Sequence, residues 1–413
     1  MVIRMSAKKV LYISYDGMTD PLGQSQVLPY LVKLSQSGYQ FTLLSFEKRE
    51  RYQKEGKIIE AICNSSNINW QPLIFTKNPP ILAKIYDRWQ MKRKALQLHK
   101  QYLFDMIHCR SYIAAEMGLA LKKQTGVKFF FDMRGFWADE KVDGGQWDQR
   151  NPFFRKVYRY YKHKERDFLL GADAIVSLTD AAKDEMKKNA AYDKLQIDVI
   201  PCCADLAHFN YNNVNAKQRE QLKQQLQISG DKKVISYLGS VGGWYMTKEM
   251  FRFVNCLLEL HPEFVMLVLT KDEREWVRAE ALQQGIPADK IIVTTAPREK
   301  MPVYISLSDC SIFFIRPTYS KKASSPTKHA ELMGMGIPVI CNDIGDTGRI
   351  IEETGTGIMI KEFLETEYRT AVKRIDEIMS ISKDHIRQAA YRYFDLDAGV
   401  AKYLEIYKRV LKN

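Results

Sequence analysis

Short apolar runs, bounded by glycine, proline and polar clusters, recur along the whole chain, with stretches of helical spacing between them. Residues 10–14 (VLYIS) predict a buried strand, and residues 16–23, with Gly17, Pro21 and Gly23, predict the loop after it. Val27, Leu28, Leu31 and Leu34 share one face of a helix that Gly38 ends. Residues 41–45 form the next expected strand, followed by 106–109, 128–132, 174–178 and 196–200. From 207 to 233 the chain turns polar, rich in asparagine and glutamine, which predicts a linker carrying one exposed helix. The pattern then restarts. Residues 234–238 predict a strand, 239–243 a glycine loop, and Met250, Phe253, Val254 and Leu257 a helix. Further strands are expected at 264–269, 291–294, 311–315 and 338–341, and an amphipathic helix at 398–411. Strand, helix, strand in this order predicts an α/β fold with parallel sheets covered on both faces. Two halves that each open on strand, glycine loop and helix predict two Rossmann-like domains facing a cleft.

Composition narrows the class. A 413-residue chain with 46% hydrophobic and 27% charged residues is globular and long enough for two cores. The 62 Lys and Arg against 49 Asp and Glu leave a net charge of +13, which favours polyanionic partners: phosphorylated substrates, anionic lipid or nucleic acid. Seven scattered cysteines with no CxxC pair read as small hydrophobes in a reducing cytoplasm. The basic start, Met1 to Lys9, is followed by an apolar run too short for a secretory signal, and no run is long enough to span a bilayer. Seven histidines without HExxH or cysteine-paired spacing argue against a transition metal. Two basic segments with aromatics, 155–166 and 84–100 (the latter beside Ile81, Leu82 and Ile85), suit an anionic membrane surface, single-stranded nucleic acid, or simply a solvated face over core aromatics.

Four segments carry candidate chemistry. In Ser324-Ser325-Pro326-Thr327-Lys328-His329-Ala330-Glu331, serine before proline marks a helix start, the hydroxyl capping free N–H groups and proline at the first helical position. Such a start suits a ribose diphosphate, with Lys328 in its first turn and Glu331 as an acceptor nearby; an ordinary capped helix explains the segment equally well. Gly239-Ser240-Val241-Gly242-Gly243 follows a strand and lets backbone approach an anion, with Lys248 beyond it. Neither G-x-G-x-x-G nor G-x-x-x-x-G-K-[ST] is present, nor a G-x-S-x-G elbow, so dehydrogenase, NTPase and serine-hydrolase readings lose support. His108 and Arg110, two apart at the end of a strand, lie on one side of it; a buried, satisfied histidine would explain the first equally well. Asp132 to Glu140 closes the next strand with mixed charges around two aromatics, read either as a site or as internal salt bridging.

In order along the chain, these segments resemble the retaining GT-B glycosyltransferases of family 4 (glycosyl transferases group 1). The matching pieces are residues 10–23, 105–110, Val199-Ile200-Pro201-Cys202-Cys203-Ala204-Asp205 with Phe209, Tyr237-Leu238-Gly239-Ser240, 326–339, and a last helix ending in Ile406-Tyr407. The resemblance implies the GT-B fold: an acceptor domain at 1–205, a donor domain at 206–395, and a C-terminal helix, 396–413, crossing back to the first. It implies a donor site of Gly239, Ser240, Gly242, Gly243, Ser325, Pro326, Thr327, Lys328 and Glu331, with Lys248, Glu331 and Arg110 as catalytic candidates. Gly23, Gln24, His108 and Arg134 would lie on the acceptor side. The implied activity moves a sugar from a UDP- or GDP-linked donor to a hydroxyl of a glycan or lipid-linked acceptor, in surface polysaccharide synthesis, with no metal and no other cofactor. The only short DxD, Asp395 and Asp397, lies near the chain end. Three departures stand out: Ala323 where a second glutamate often precedes Glu331 by eight positions, Ser240 where the loop usually has arginine, and Arg110 where a histidine is common. The expected location is cytoplasmic, with peripheral attachment to an anionic membrane. The alternatives are a GT-B nucleotide-sugar epimerase, which would need no acceptor, and a basic nucleic-acid-binding protein, which would leave the phosphate loops in both halves without a purpose.

Overall fold

The computed structural model describes residues 7–412, apart from the side chains of residues 80 and 81. Most of the basic start, Met1 to Lys9, and the final residue of the closing segment lie outside the described residues, as does the side chain of Ile81. The chain divides into two α/β units. The first runs to Pro201 and resumes at Leu396, and the second spans Cys202–Asp395. The division falls after Pro201 and not after Asp205, because the intervening segment bonds into the second unit. Ala204 N–H donates to Phe394 O at 2.9 Å, and Cys202 N–H donates to Ser325 Oγ at 3.1 Å.

In the first unit the strands are β1 (Lys8–Ser14), β2 (Tyr39–Glu47), β3 (Asn69–Ile74), β4 (Met106–Arg110), β5 (Lys128–Asp132), β6 (Ala174–Ser177) and β7 (Ile197–Val199). They form one parallel sheet in the order β3-β2-β1-β4-β5-β6-β7. The second unit holds β8 (Lys233–Leu238), β9 (Phe264–Leu269), β10 (Ile291–Thr294), β11 (Cys310–Phe313), β12 (Val339–Asn342) and β13 (Gly357–Ile360), parallel in the order β10-β9-β8-β11-β12-β13. Central strands are buried on both faces, which is why they read as continuous apolar runs. The sequence pattern did not reveal β3 and β13. Both are edge strands: β3 is half-buried along its whole length and contains Pro72, which an edge tolerates.

Each sheet reverses its strand order once, at β1/β4 and at β8/β11. The carboxyl ends of strands at such a reversal leave a crevice where open α/β sheets bind ligands. The helix Leu396–Leu411 belongs to the first unit. It buries Val400, Tyr403, Ile406 and Tyr407 there, and Tyr403 OH donates to Asp132 Oδ2 at 3.2 Å. The seven cysteines are all buried. Among the described residues no helix is long and apolar enough to cross a membrane.

Candidate functional site

The crevice of the second unit is built from the loop after β8 and the helix that precedes β12. Gly239, with φ of 113°, turns the chain directly out of β8. A Cβ at this position would sit 3.0 Å from Lys328 Nζ, so the missing side chain is what admits the lysine. Much of the loop's N–H capacity is already used internally: Gly239 donates to Leu269 O at 2.9 Å, Val241 to Asp272 Oδ2 at 2.5 Å, and Gly242 to Thr247 Oγ1 at 2.8 Å. The loop is therefore held rigid from within, and the charge it presents comes from Lys328.

Lys328 projects from the first turn of the helix Thr327–Gly334. Its ammonium is buried, makes no hydrogen bond, and lies 3.6 Å from the Tyr245 ring centre and 4.2 Å from that of Tyr237. Burial pushes it well below the ordinary lysine range, with Glu331 acting in the opposite direction. The two ring faces offset part of the cost of a charge there. One turn on, Glu331 is almost enclosed and paired with Arg298 Nη1 at 3.4 Å. Burial raises its carboxyl, against the pull of Arg298 and Lys328. Between them, His329 is buried with neither ring nitrogen hydrogen-bonded, and burial lowers it to about 3, so it is neutral.

The helix start differs in register from the sequence expectation. Pro326, not Ser325, is the capping residue; the helix begins at Thr327 and no side chain caps it. Ser325 Oγ is instead taken by the Cys202 N–H. The His329 N–H donates to Pro326 O at 3.0 Å, so the uncapped first turn leaves at most the N–H groups of Thr327 and Lys328 for a ligand. Lys248 stands on the exposed side of the helix Thr247–Leu260, 64% exposed and 3.9 Å from Glu280. Arg298, Tyr237 and Tyr245 were not singled out from the sequence. The first sits in an unremarked Arg-Glu-Lys run, and the tyrosines read as ordinary core residues.

In the first unit, the loop after β1 is fastened to buried Glu47, which accepts from Met18 N–H at 2.7 Å, Thr19 N–H at 3.0 Å and Thr19 Oγ1 at 2.6 Å. The helix Pro21–Gln26 begins inside the segment expected to be all loop. Gly23 lies so close to this loop that a Cβ would fall 2.2 Å from Gly17 O. Gln24 reaches Glu55 at 2.5 Å. His108 is only 1% exposed, stacked on Phe130, with Nδ1 at 2.7 Å from Tyr407 OH. Burial lowers its pKa, so the packed ring is neutral, with Nε2 making no hydrogen bond 3.5 Å from Asp132 Oδ2. Arg110 and Arg134 stand at the ends of β4 and β5. The mixed charges after β5 partly resolve into internal pairs: Asp139 accepts from Lys162 at 2.9 Å and from Tyr158 OH at 2.8 Å.

Two family models tile this architecture. The Glycosyltransferase Family 4 model matches residues 23–208, and the Glycosyl transferases group 1 model matches 218–393. The chain belongs to the family 4-like GT-B glycosyltransferases. It is 20% identical over 285 residues to the D-inositol 3-phosphate glycosyltransferase of Rhodococcus jostii (strain RHA1), covering 67% of this chain but only 60% of that relative's length. Its fold matches that of a glycosyltransferase from Rickettsia africae ESF-5, with a TM-score of 0.72 at 17% identity over 99% of this chain and 100% of the other. It also matches Anabaena HepE, solved with UDP and glucose, with a TM-score of 0.70 at 13% identity over 97% and 99% of the two chains. In this GT-B chain, then, the β8 loop, Lys328 and Glu331 occupy the second Rossmann-like unit.

Proposed function

We propose that the chain transfers a sugar, with retention of configuration, from a nucleoside diphosphate donor to a hydroxyl of a glycan or lipid-linked acceptor in surface polysaccharide synthesis. The observation that carries this reading is the buried, unpartnered Lys328 ammonium set against Gly239 at an uncapped helix start, one turn before Glu331. A diphosphate would complete Lys328 and the free N–H donors, and Glu331 would accept from a ribose hydroxyl. Ser240 stands where the family's loop usually carries arginine, and Lys328 supplies a positive charge at that loop from another element. The UDP and glucose bound in the HepE structure favour a uridine-linked donor over a guanosine-linked one.

The chemistry follows from charge. As the glycosidic C–O bond breaks, negative charge grows on the leaving diphosphate, and preorganised N–H donors and a cation stabilise it without rearranging. The resemblance implies that a leaving-group oxygen then takes the acceptor proton, so no side chain has to act as general base. On this reading no metal is required, and turnover survives EDTA. The decisive variant is Glu331→Ala, measured by release of nucleoside diphosphate from a UDP-sugar panel: activity should collapse, and undiminished turnover would overturn the assignment. Donor alone should yield free nucleoside diphosphate by slow hydrolysis; an isomerised nucleotide-sugar would mark an epimerase instead. A cytoplasmic location with peripheral attachment to anionic membrane completes the proposal.

A further inference from the structure

The carboxyl ends of β4 and β5 carry two arginines that donor chemistry leaves without a task. Arg110 ends β4, in register with Ser14 of β1 and with Asp132 of β5, and so sits at the β1/β4 reversal of strand order. Its side chain is 5% exposed, yet Nε and Nη1 make no hydrogen bond. The carboxylate facing it, Asp16 Oδ2, stands 3.6 Å from Nε, beyond hydrogen-bond reach, and is itself half-exposed. Arg134 follows β5 with φ of 59°, and Ser111 follows Arg110 with φ of 66°. A residue with a side chain holds such a conformation at a cost, and surrounding structure must impose it.

Arg134 Nη1 pairs with Asp132 Oδ1 at 3.8 Å. The other oxygen of Asp132 is turned toward the core, accepting from Tyr403 OH at 3.2 Å and facing His108 Nε2 at 3.5 Å. Both guanidiniums act on the same four groups, Tyr12, His108, Asp132 and Tyr403, so they share one locality. The end of β4 thus holds a near-buried guanidinium whose Nε and Nη1 donors are open. Buried donors left open are costly, and native proteins keep them chiefly where a ligand completes them. A planar fork of N–H groups is matched by an anion presenting two oxygens.

We infer that Arg110, with the charge of Arg134 beside it, forms an anion site for the acceptor, which carries a phosphate or carboxylate group that Arg110 grips at the carboxyl end of β4. The word acceptor rests on the transfer reading above; the anion site itself does not. The test is calorimetric titration of the full chain with inorganic phosphate and with glucuronate, and with methyl glucoside as the neutral control. It is run in the Lys328→Met background to silence the donor site. That protein should bind at least one anion and not the glucoside, and adding Arg110→Gln should weaken binding about tenfold. Arg110→Lys keeps the charge without the fork, so it should melt like its parent and bind with intermediate strength. Binding of phosphate alone assigns a phosphorylated or lipid-diphosphate acceptor, and binding of glucuronate alone assigns an acidic sugar; binding of both supports the site. Loss of all anion binding in Lys328→Met, or equal affinity with and without Arg110→Gln, would overturn it. The donor reading fails separately, if Lys328→Met leaves nucleoside diphosphate binding unchanged.

Discussion

Lys328 concentrates the chemistry of the second unit in one side chain, and its environment sets a pH dependence. Burial lowers it well below an ordinary lysine. The unfolded chain therefore binds more protons in the window between that lowered value and about 10.4, and the stability of the free protein rises with pH through the window. A bound diphosphate reverses the preference and favours the charged ammonium. Binding then takes up a proton, and Kd grows as pH climbs through the same window. Calorimetry in buffers of different ionisation enthalpy should detect that uptake in the wild type and not in Lys328→Met. The same titrations compare the two lysines. Lys328→Met should weaken nucleoside diphosphate binding about tenfold or more, whereas Lys248→Met, with its exposed ammonium beside Glu280, should stay within about twofold. The reverse order of effects would restore Lys248 as the diphosphate lysine.

The helix Thr327–Gly334 positions Lys328 and Glu331, and its far end is held by a residue that no motif marks. Arg387 is buried and donates to Gly334 O at 2.5 Å, Phe209 O at 2.6 Å and Leu206 O at 2.5 Å. It thereby closes the carbonyl of the helix's last residue and ties it to Phe209, whose ring lies 5.8 Å from the Arg298 guanidinium. Arg387→Met would orphan three buried carbonyls and should cost roughly 3 kcal/mol, read by urea unfolding. Bound UDP should recover part of the loss. This element also shows what the sequence could and could not tell. The helix, its stop at Gly336 (φ 68°) and the strand β12 were legible because proline, glycine and an apolar run punctuate them locally. The cap register was not, since whether Ser325 caps depends on the distant Cys202 N–H that captures its hydroxyl. Nor was the different setting of the two lysines, because Lys248 and Lys328 are equally basic in sequence, yet the fold leaves the first exposed and turns the second toward Gly239. The edge strand β3 was missed because, half-buried and interrupted by Pro72, it lacks the continuous apolar run that marks central ones.

Across the whole molecule the net charge of +13 finds one surface where it is joined to exposed apolar groups. The helix Pro80–Tyr102 leaves Leu82, Ile85, Tyr86 and Trp89 exposed, with Lys84, Lys92 and Arg93 on the same open side. Tyr86 stacks on Trp89 at 5.7 Å, and Arg93 lies 5.4 Å from the Trp89 ring centre. Beside it, the helix Pro152–Gly171 exposes Phe153, Arg155, Lys156, Arg159 and Tyr160, and Arg88 joins the two by donating to Tyr161 OH at 3.2 Å. On the proposed membrane reading, anionic lipid would attract the lysines and arginines by its charge while its interface takes in tryptophan and leucine. Each basic residue near such a surface contributes about 1 kcal/mol, which salt screens, and the apolar residues add a part that salt leaves intact. Sedimentation with vesicles containing phosphatidylglycerol should therefore weaken, without vanishing, between low and high salt. Trp89→Glu with Leu82→Glu should abolish the salt-resistant part while leaving UDP binding by the second unit unchanged. Equal sedimentation of that double variant, or none by the wild type at low salt, would remove the membrane from the proposal, and the acceptor would then have to be met in solution.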